Sequence, residues 1–212
     1  MRKLLPLTIA SLLITTFVNA QINKGSVLLG GNIGFGNSKN NRNTNYKENY
    51  VYLSPVIGVA VKTNLVAGVT VLYSHSKYLN DTLGNKQNNT LAGGSLFLRR
   101  YFPVAKNFYV YGQGSVGYSH EHSTQEHLDF FRDDVTNTIS LEVAPGLAYA
   151  VSKKFHLELG LNNQFAFSYG KDNTEVQEIN DAKTVKGNFF NFNTSFSSAT
   201  PLYIGFRVLF AK

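Results

Sequence analysis

The chain has no cysteine, few charged residues and, beyond its first twenty positions, no long apolar run. Without cysteine there is no disulfide framework, although secreted soluble domains of this size often depend on one. Charged residues make up only 16% of the 212 residues, below the usual quarter, which is unlike an ordinary soluble surface. The lack of a second long apolar run predicts that the body of the chain has no transmembrane helix.

The first twenty residues have the layout of a secretory signal peptide. Arg2 and Lys3 precede an apolar run over residues 4–18, and the small residue Ala20 occupies the expected cleavage position. We expect cleavage after Ala20 and a mature domain of residues 21–212; the alternative, a membrane anchor, needs a longer run. The formal charge of +7 would suit nucleic acid, but the basic residues are scattered and the chain is expected to be exported. We therefore expect no nucleic-acid partner.

Period-two alternation is clearest over residues 138–169, where two predicted strands flank the turn Ser152-Lys153-Lys154. Nearly all odd positions there are apolar or aromatic, whereas the even positions are mostly small or polar, with a charge or two per strand. A soluble strand would carry many charges on its outer face. Small inward and apolar outward side chains instead suit a narrow barrel whose outer face contacts lipid.

The same alternation recurs along the chain and predicts an all-β fold, an eight-stranded antiparallel up-and-down transmembrane β-barrel. The strands are expected at about residues 26–36, 50–61, 65–76, 90–102, 108–119, 138–151, 155–169 and 202–210. Short turns alternate with four long polar segments, which we predict to be extracellular loops, at residues 37–48, 77–89, 120–137 and 170–188. Both termini then lie on the periplasmic side, as in outer-membrane barrels.

Several local patterns resemble the small porin-like outer-membrane β-barrel family, which is related in shape to the OmpA transmembrane domain and OmpX. They lie at residues 53–58 with 64–68 (LSPVIG, NLVAG), 97–102 (FLRRYF), 145–149 (PGLAY) and 205–210 (GFRVLF). The resemblance implies a fold and a location in the cell outer membrane, and it brings no shared catalytic residues. It also implies that the barrel-assembly machinery reads an aromatic residue in the last strand, here Phe210, which Ala211 and Lys212 follow.

Six polar residues of the last five predicted strands share the inward face. Because ions in a narrow lumen are costly unless they are paired, we predict a structural salt-bridge network there. Arg99 and Arg207 are expected to face Glu142 and Glu158; the alternative is a gated pore or an acid–base site. The full predicted lumen polar network is Arg99, Gln113, Glu142, His156, Glu158 and Arg207.

The third polar segment combines three histidines, His120, His122 and His127, with five acidic residues. Imidazole and carboxylate groups together can bind Zn²⁺ or a similar ion. The spacing matches no strong motif, so a solvated loop is the preferred interpretation and a metal site the alternative. We expect no catalytic residue, no metal and no cofactor.

These patterns predict a fold and a location more firmly than an activity. The preferred function is a structural or surface-interaction role through four extracellular loops, with outer-membrane lipid and lipopolysaccharide as partners and an extracellular ligand unknown. One alternative is a narrow channel or porin. Another is an outer-membrane lipid A-modifying enzyme, although no serine, histidine and acid set can be assembled from the sequence. A soluble lipocalin-like barrel would need a charged outer face, which the row Ala144, Gly146, Ala148 and Ala150 does not provide.

Overall fold

The computed structural model describes residues 21–40, 46–80, 84–161, 165–178, 181–194 and 202–210; the expected signal peptide lies outside them. None of the described segments is a helix long and apolar enough to cross a membrane. The regular structure of these segments consists of ten β-strands: β1 (Val27–Asn40), β2 (Tyr46–Lys62), β3 (Leu65–Asn80), β4 (Asn85–Ala105), β5 (Phe108–Glu126), β6 (Phe130–Ala150), β7 (Phe155–Leu161), β8 (Phe165–Glu178), β9 (Asp181–Thr194) and β10 (Leu202–Phe210).

The ten strands form a closed antiparallel barrel with eight positions in its wall. Strands β1 to β6 pair in chain order, and β7 and β8 share the seventh position because both pair with β6. The eighth position holds β9, paired with β8, and β10, paired with β7. The barrel closes where β10 meets β1, from Val27 opposite Phe210 to Gly31 opposite Phe206. The predicted eight-stranded antiparallel barrel is confirmed.

The outer face of the barrel is apolar, as the alternation predicts. Along β4, Leu96, Leu98 and Phe102 are exposed, whereas Phe97, Arg99 and Tyr101, which lie between them, are buried. Other strands repeat this pattern, and their exposed residues include Leu53, Ile57, Val59, Val69, Val71, Val110, Val116, Ile139, Leu141, Val143, Leu157, Leu159, Phe167, Ile204 and Phe206. The predicted outward Arg100 is exposed and donates to the Thr63 carbonyl oxygen at 3.1 Å.

The four polar segments predicted to be long loops are largely strand, which corrects the sequence prediction. Of residues 120–137, only residues 127–129 lie outside β5 and β6, and β8 and β9 between them take up almost all of residues 170–188. Strands β4 and β6 have 21 residues each. At roughly 3.3 Å per residue each is about 70 Å long, so even when tilted it extends well beyond a hydrocarbon core of roughly 30 Å. The chain therefore forms long β-hairpins that extend beyond the membrane. Strand pairing satisfies the backbone N–H and C=O groups, which in a loop would hydrogen-bond with water.

The opposite end of the barrel carries the short turns, and the segment that precedes β1 packs against the turn between β2 and β3. Ile22, at 3% exposure, exchanges two hydrogen bonds with Asn64, whose carbonyl oxygen also accepts from the Tyr101 amide. Asn64 has a φ of 59°, a left-handed conformation that asparagine tolerates in tight turns. Gly25 donates to Ala60 at 2.8 Å. Residues 21–26 thus form an N-terminal latch that is tied to the β2–β3 turn at this end of the barrel.

Candidate functional site in the barrel lumen

An ion cluster crosses the lumen between three strands. Glu158 of β7 accepts from Arg99 Nη1 of β4 at 2.7 and 2.8 Å, and from the Tyr101 hydroxyl at 2.9 Å. Arg207 of β10 adds a longer contact, from Nη2 to Glu158 Oε2 at 3.2 Å. The three charged side chains are at most 3% exposed. We call Arg99, Tyr101, Glu158 and Arg207 the lumen plug.

Aromatic rings and a glycine hold the plug in position. The Arg99 guanidinium lies 4.4 Å from the centre of the Tyr111 ring, which also approaches Gly146 so closely that a Cβ there would overlap it. The Arg207 side chain crosses Gly30, its partner on β1, in the same way. The interior of an eight-stranded barrel is only just wide enough for its own side chains or for one small ligand. Long inward side chains therefore need glycine on the neighbouring strand.

The other predicted network residues occupy different places. Gln113 Oε1 accepts from Arg99 Nε at 2.9 Å and Nη2 at 2.6 Å. His156 is buried on the turn side of the plug and stacks on Tyr109, with ring centres 5.6 Å apart. Glu142 lines the lumen wall and forms no salt bridge within the described residues, so the predicted pairing of Glu142 with the arginines is wrong.

The strand register explains why Glu142 does not pair with the arginines. Arg99 lies opposite Gln113, and Gln113 lies opposite Ala144. Glu142 is one inward position further towards the hairpins, a rise of about 7 Å along the strand. Glu158 instead lies level with the plug because Arg207 pairs with His156, and Glu158 is the next inward residue of β7. The alternation in the sequence showed which residues face the lumen. It did not show which residues of different strands lie at the same height in the lumen.

The lumen on the turn side of the plug is filled. The buried apolar and aromatic side chains around the plug and on its turn side form one cluster with the N-terminal latch: Ile22, Leu28, Val56, Ala60, Val66, Phe97, Tyr101, Tyr109, Tyr111, Ala148, Ala150 and Leu209. The sequence analysis did not predict a role for Tyr101. Its position two residues after Arg99, on the same face of β4, could have indicated one. These side chains are at most 7% exposed, so this part of the lumen is closely packed.

On the hairpin side of the plug the lumen opens into a cavity of about 300 Å³. Arg99 and Arg207 contribute to its lining, together with Glu142, Gln113 and Asn32. The rest of the wall is mainly hydroxyl-bearing side chains with a few aliphatic ones. The arrangement can hold a small polar molecule, and its charged groups come from β4, β6 and β10.

The three histidines of the third polar segment lie on and beside the β5–β6 hairpin. His122 Nε2 is 2.8 Å from Asp133 Oδ1, and His120 Nδ1 is 2.9 Å from Asn137 Oδ1, so each meets a residue of the opposite strand. His127 stacks on Phe130, with ring centres 5.2 Å apart. Within the part of the chain that the structure describes, no three His, Asp or Glu side chains are grouped so as to hold a metal ion.

Comparison with known proteins gives the fold. No protein-family model matches the chain, and no curated protein matches it. A major outer membrane protein from Thermus thermophilus is similar in structure, with a TM-score of 0.50 and 13% sequence identity, over 91% of this chain and 100% of that one. The ferric yersiniabactin uptake receptor from Yersinia pestis matches with a TM-score of 0.41 and 10% identity over 74% of this chain. The match spans only 26% of that receptor.

The Thermus likeness and the apolar outer face agree on one architecture. The chain is an eight-stranded antiparallel transmembrane β-barrel, of the kind found in outer-membrane proteins.

Proposed function

We propose that this chain is an outer-membrane protein with a sealed lumen that acts at the cell surface through its four β-hairpins. The observation that carries the proposal is the division of the barrel into two halves. The turn half is packed solid around the lumen plug, and the hairpin half rises beyond the membrane as polar strands. A packed lumen favours a structural or surface-interaction role over a pore.

The proposed location follows from the barrel and the leader together. Export through the signal peptide, with cleavage after Ala20, would release Gln21 as the first residue of the N-terminal latch. The barrel-assembly machinery would then insert the chain through its last strand, β10, which ends at Phe210. Lipopolysaccharide and outer-membrane lipid would surround the apolar outer face.

The hairpins offer a stiff polar surface to a partner. Their neighbouring strands are tied by cross-strand side-chain contacts, such as Lys86 Nζ to Glu126 at 2.9 Å and Asn89 Nδ2 to Glu121 at 2.8 Å. At the tip between β5 and β6, Leu128 is 79% exposed. Since ordered strands lose little further entropy on binding, such a surface is suited to recognising a partner outside the cell.

The experiment that tests this role shortens one hairpin and leaves the barrel intact. Glu121 lies opposite Thr136, so residues 122–135 can be replaced by an Asn-Gly turn without a change of register. The control replaces only residues 127–129. We expect the shortened variant to fold and to lose adhesion or envelope function while the control keeps it. If shortening each hairpin in turn leaves every envelope and adhesion assay unchanged, the surface role fails.

We also propose that the chain is not an enzyme. A lipid A hydrolase or acyltransferase would alter the mass of lipid A when it is overexpressed. We expect mass spectrometry of lipid A to show no change. A new lipid A species that depends on the folded barrel would contradict this part of the proposal.

A further inference from the structure

Three lysines share the outer face of the hairpin ends of β1, β2 and β3. Lys39 lies opposite Lys47 in the β1–β2 pairing, and Lys77 lies opposite Asn49, the next outward residue of β2. Between Cβ atoms, Lys47 is therefore about 5 Å from Lys39 and about 7–8 Å from Lys77. All three lysines are exposed, and none forms a salt bridge within the described residues. We call Lys39, Lys47 and Lys77 the lysine cluster.

The lysine cluster lies just beyond the lipid-facing belt. Each lysine is two outward positions beyond the last residue of the continuous apolar row on its own strand; these last residues are Phe35, Val51 and Tyr73. Over two outward positions, a strand tilted by about 40° rises about 10 Å along the membrane normal. The headgroup layer on each side of a bilayer is roughly 5–8 Å thick, and the flexible lysine stem can bend back towards it. The ammonium groups can therefore reach the headgroups of the adjacent lipid leaflet.

The charge of this sector is positive even when the nearby acidic residues are counted. The only acidic residue in the described parts of β1, β2 and β3 is Glu48, and its even position places it on the other face of β2. Three lysines and one glutamate give these hairpin ends a net charge of +2. On the adjoining strand, Lys86 is already paired with Glu126. Across the barrel the outer face is acidic instead, with Asp133 directly opposite Glu175, so an anion is attracted to the β1–β3 sector.

A phosphate that belongs to a lipid fits both the charge and the position of the cluster. Lysine binds phosphate oxygens through a compact ammonium group. Beside the lysines, Asn37 Nδ2 donates to Asn49 Oδ1, and these amides add groups that can hydrogen-bond to phosphate or sugar oxygens. The cluster continues the apolar outer face, so a molecule with acyl chains and a phosphorylated headgroup contacts the belt and the lysines together.

We propose that the lysine cluster binds the phosphate of an outer-leaflet lipid headgroup, while the acyl chains of the same lipid lie against the apolar belt below it. The proposal rests on the proposed outer-membrane location, because the cluster faces the outer leaflet only if the hairpins point out of the cell. It assigns a lipid site to the outer face of β1, β2 and β3 and leaves the hairpin tips to a partner.

The test measures lipid binding to the refolded mature chain in non-ionic detergent by native mass spectrometry. The probes are bisphosphorylated lipid A, the same lipid with its phosphates removed, and inorganic phosphate. We expect a saturable complex with bisphosphorylated lipid A and binding at least about tenfold weaker without the phosphates, because each lysine near an anionic lipid surface strengthens binding roughly fivefold. Equal binding of the two lipids, or displacement of lipid A by inorganic phosphate at equal concentration, overturns the proposal.

Charge variants locate the bound phosphate. Replacing the whole lysine cluster by glutamine should weaken the binding of bisphosphorylated lipid A at least about tenfold, whereas replacing it by arginine should preserve the binding. If the glutamine variant does not fold, Lys77→Gln alone should weaken binding roughly fivefold. The matched control makes the same change of charge at three exposed lysines of the turn end, Lys106, Lys153 and Lys154. The control should bind almost as well as the wild type; an equal loss in the control shows that net charge alone attracts the lipid and refutes the site.

Failure of the lipid site and failure of the proposed function are distinguishable. Lipid binding is measured on the isolated barrel, whereas the surface role is measured by shortening hairpins and the location by cell fractionation. Absence of lipid binding together with a lost adhesion function in the shortened hairpins would overturn the lipid site alone. Binding of lipid A by a chain that fractionates outside the outer membrane would support the phosphate site and contradict the location. A dimer that disappears in the glutamine variant, in place of a lipid complex, would assign the cluster to a second copy and overturn the proposal.

Discussion

At the scale of single residues, Glu158 decides whether the lumen can close. It is the one carboxylate of the described lumen that lies between two buried arginines, and its removal would leave both charges without their shared partner. Breaking a buried ion pair from one side typically costs more than the intact pair contributes, since the remaining charge stays desolvated.

Glu158→Gln is therefore expected to lower the free energy of unfolding by about 3–5 kcal/mol, measured by urea denaturation of the refolded barrel in lipid vesicles. The control is Glu142→Gln, an inward carboxylate of the same barrel without a salt bridge among the described residues, which should change stability by less than about 1 kcal/mol. Equal effects of the two substitutions would show that the plug does not stabilise the fold.

Glycine positions provide a second test at this scale. A methyl group at Gly146 would overlap the Tyr111 ring, whereas one at Gly114 would meet nothing within 4 Å. Gly146→Ala should cost about 1–3 kcal/mol of stability through overpacking, while Gly114→Ala should stay within about 0.5 kcal/mol. Urea denaturation of the two variants, carried out as for Glu158→Gln, measures this difference in stability. A neutral Gly146→Ala would mean that Tyr111 has room to move away from the plug.

At the scale of secondary-structure elements, the N-terminal latch is the least expected feature. It adds a buried isoleucine and four hydrogen bonds of its backbone to the turn end, although it contributes no strand of its own.

Ile22→Ala should destabilise the barrel by about 2–5 kcal/mol, the usual range for a large-to-small change at a buried position. Leu128→Ala, at the exposed tip of a hairpin, should have almost no effect. Unfolding is best followed by far-ultraviolet circular dichroism, because the chain contains no tryptophan to report by fluorescence. If both substitutions are silent, the latch does not close the barrel.

The sequence predicted the elements inside the membrane well and those outside it poorly. Between residues 138 and 150 one face of the strand contacts lipid and the other faces the lumen. Apolar and small or polar residues therefore alternate, and the alternation shows which way each side chain points. Beyond the membrane both faces of a strand meet polar surroundings, and the alternation disappears although pairing continues. Residues 120–126 therefore resembled a loop while belonging to β5. The ion-pair partners in the lumen could not be predicted from the sequence for another reason. Whether Glu142 or Glu158 contacts Arg99 depends on the stagger between strands that are distant in sequence.

At the scale of the whole molecule, the two ends of the barrel differ, with close packing towards the turns and a cavity towards the hairpins. Its floor is the packed cluster around the lumen plug, and its rim is the polar hairpins. This shape accounts for an apolar belt that fits the bilayer, and it is the basis for the proposal that the lumen does not conduct. A narrow channel would require the plug to open, and the hydrogen bonds that Glu158 accepts oppose that movement.

Single-channel recording in a planar bilayer tests the sealed lumen most directly. The mature chain would be refolded in detergent, its folding verified by a heat-dependent shift in gel migration, and then inserted from one side of the bilayer. We predict no steady conductance from the wild-type barrel, and brief openings only in Glu158→Gln, where the plug has lost its shared carboxylate. Steady, voltage-independent conductance of the folded wild-type barrel would contradict the account.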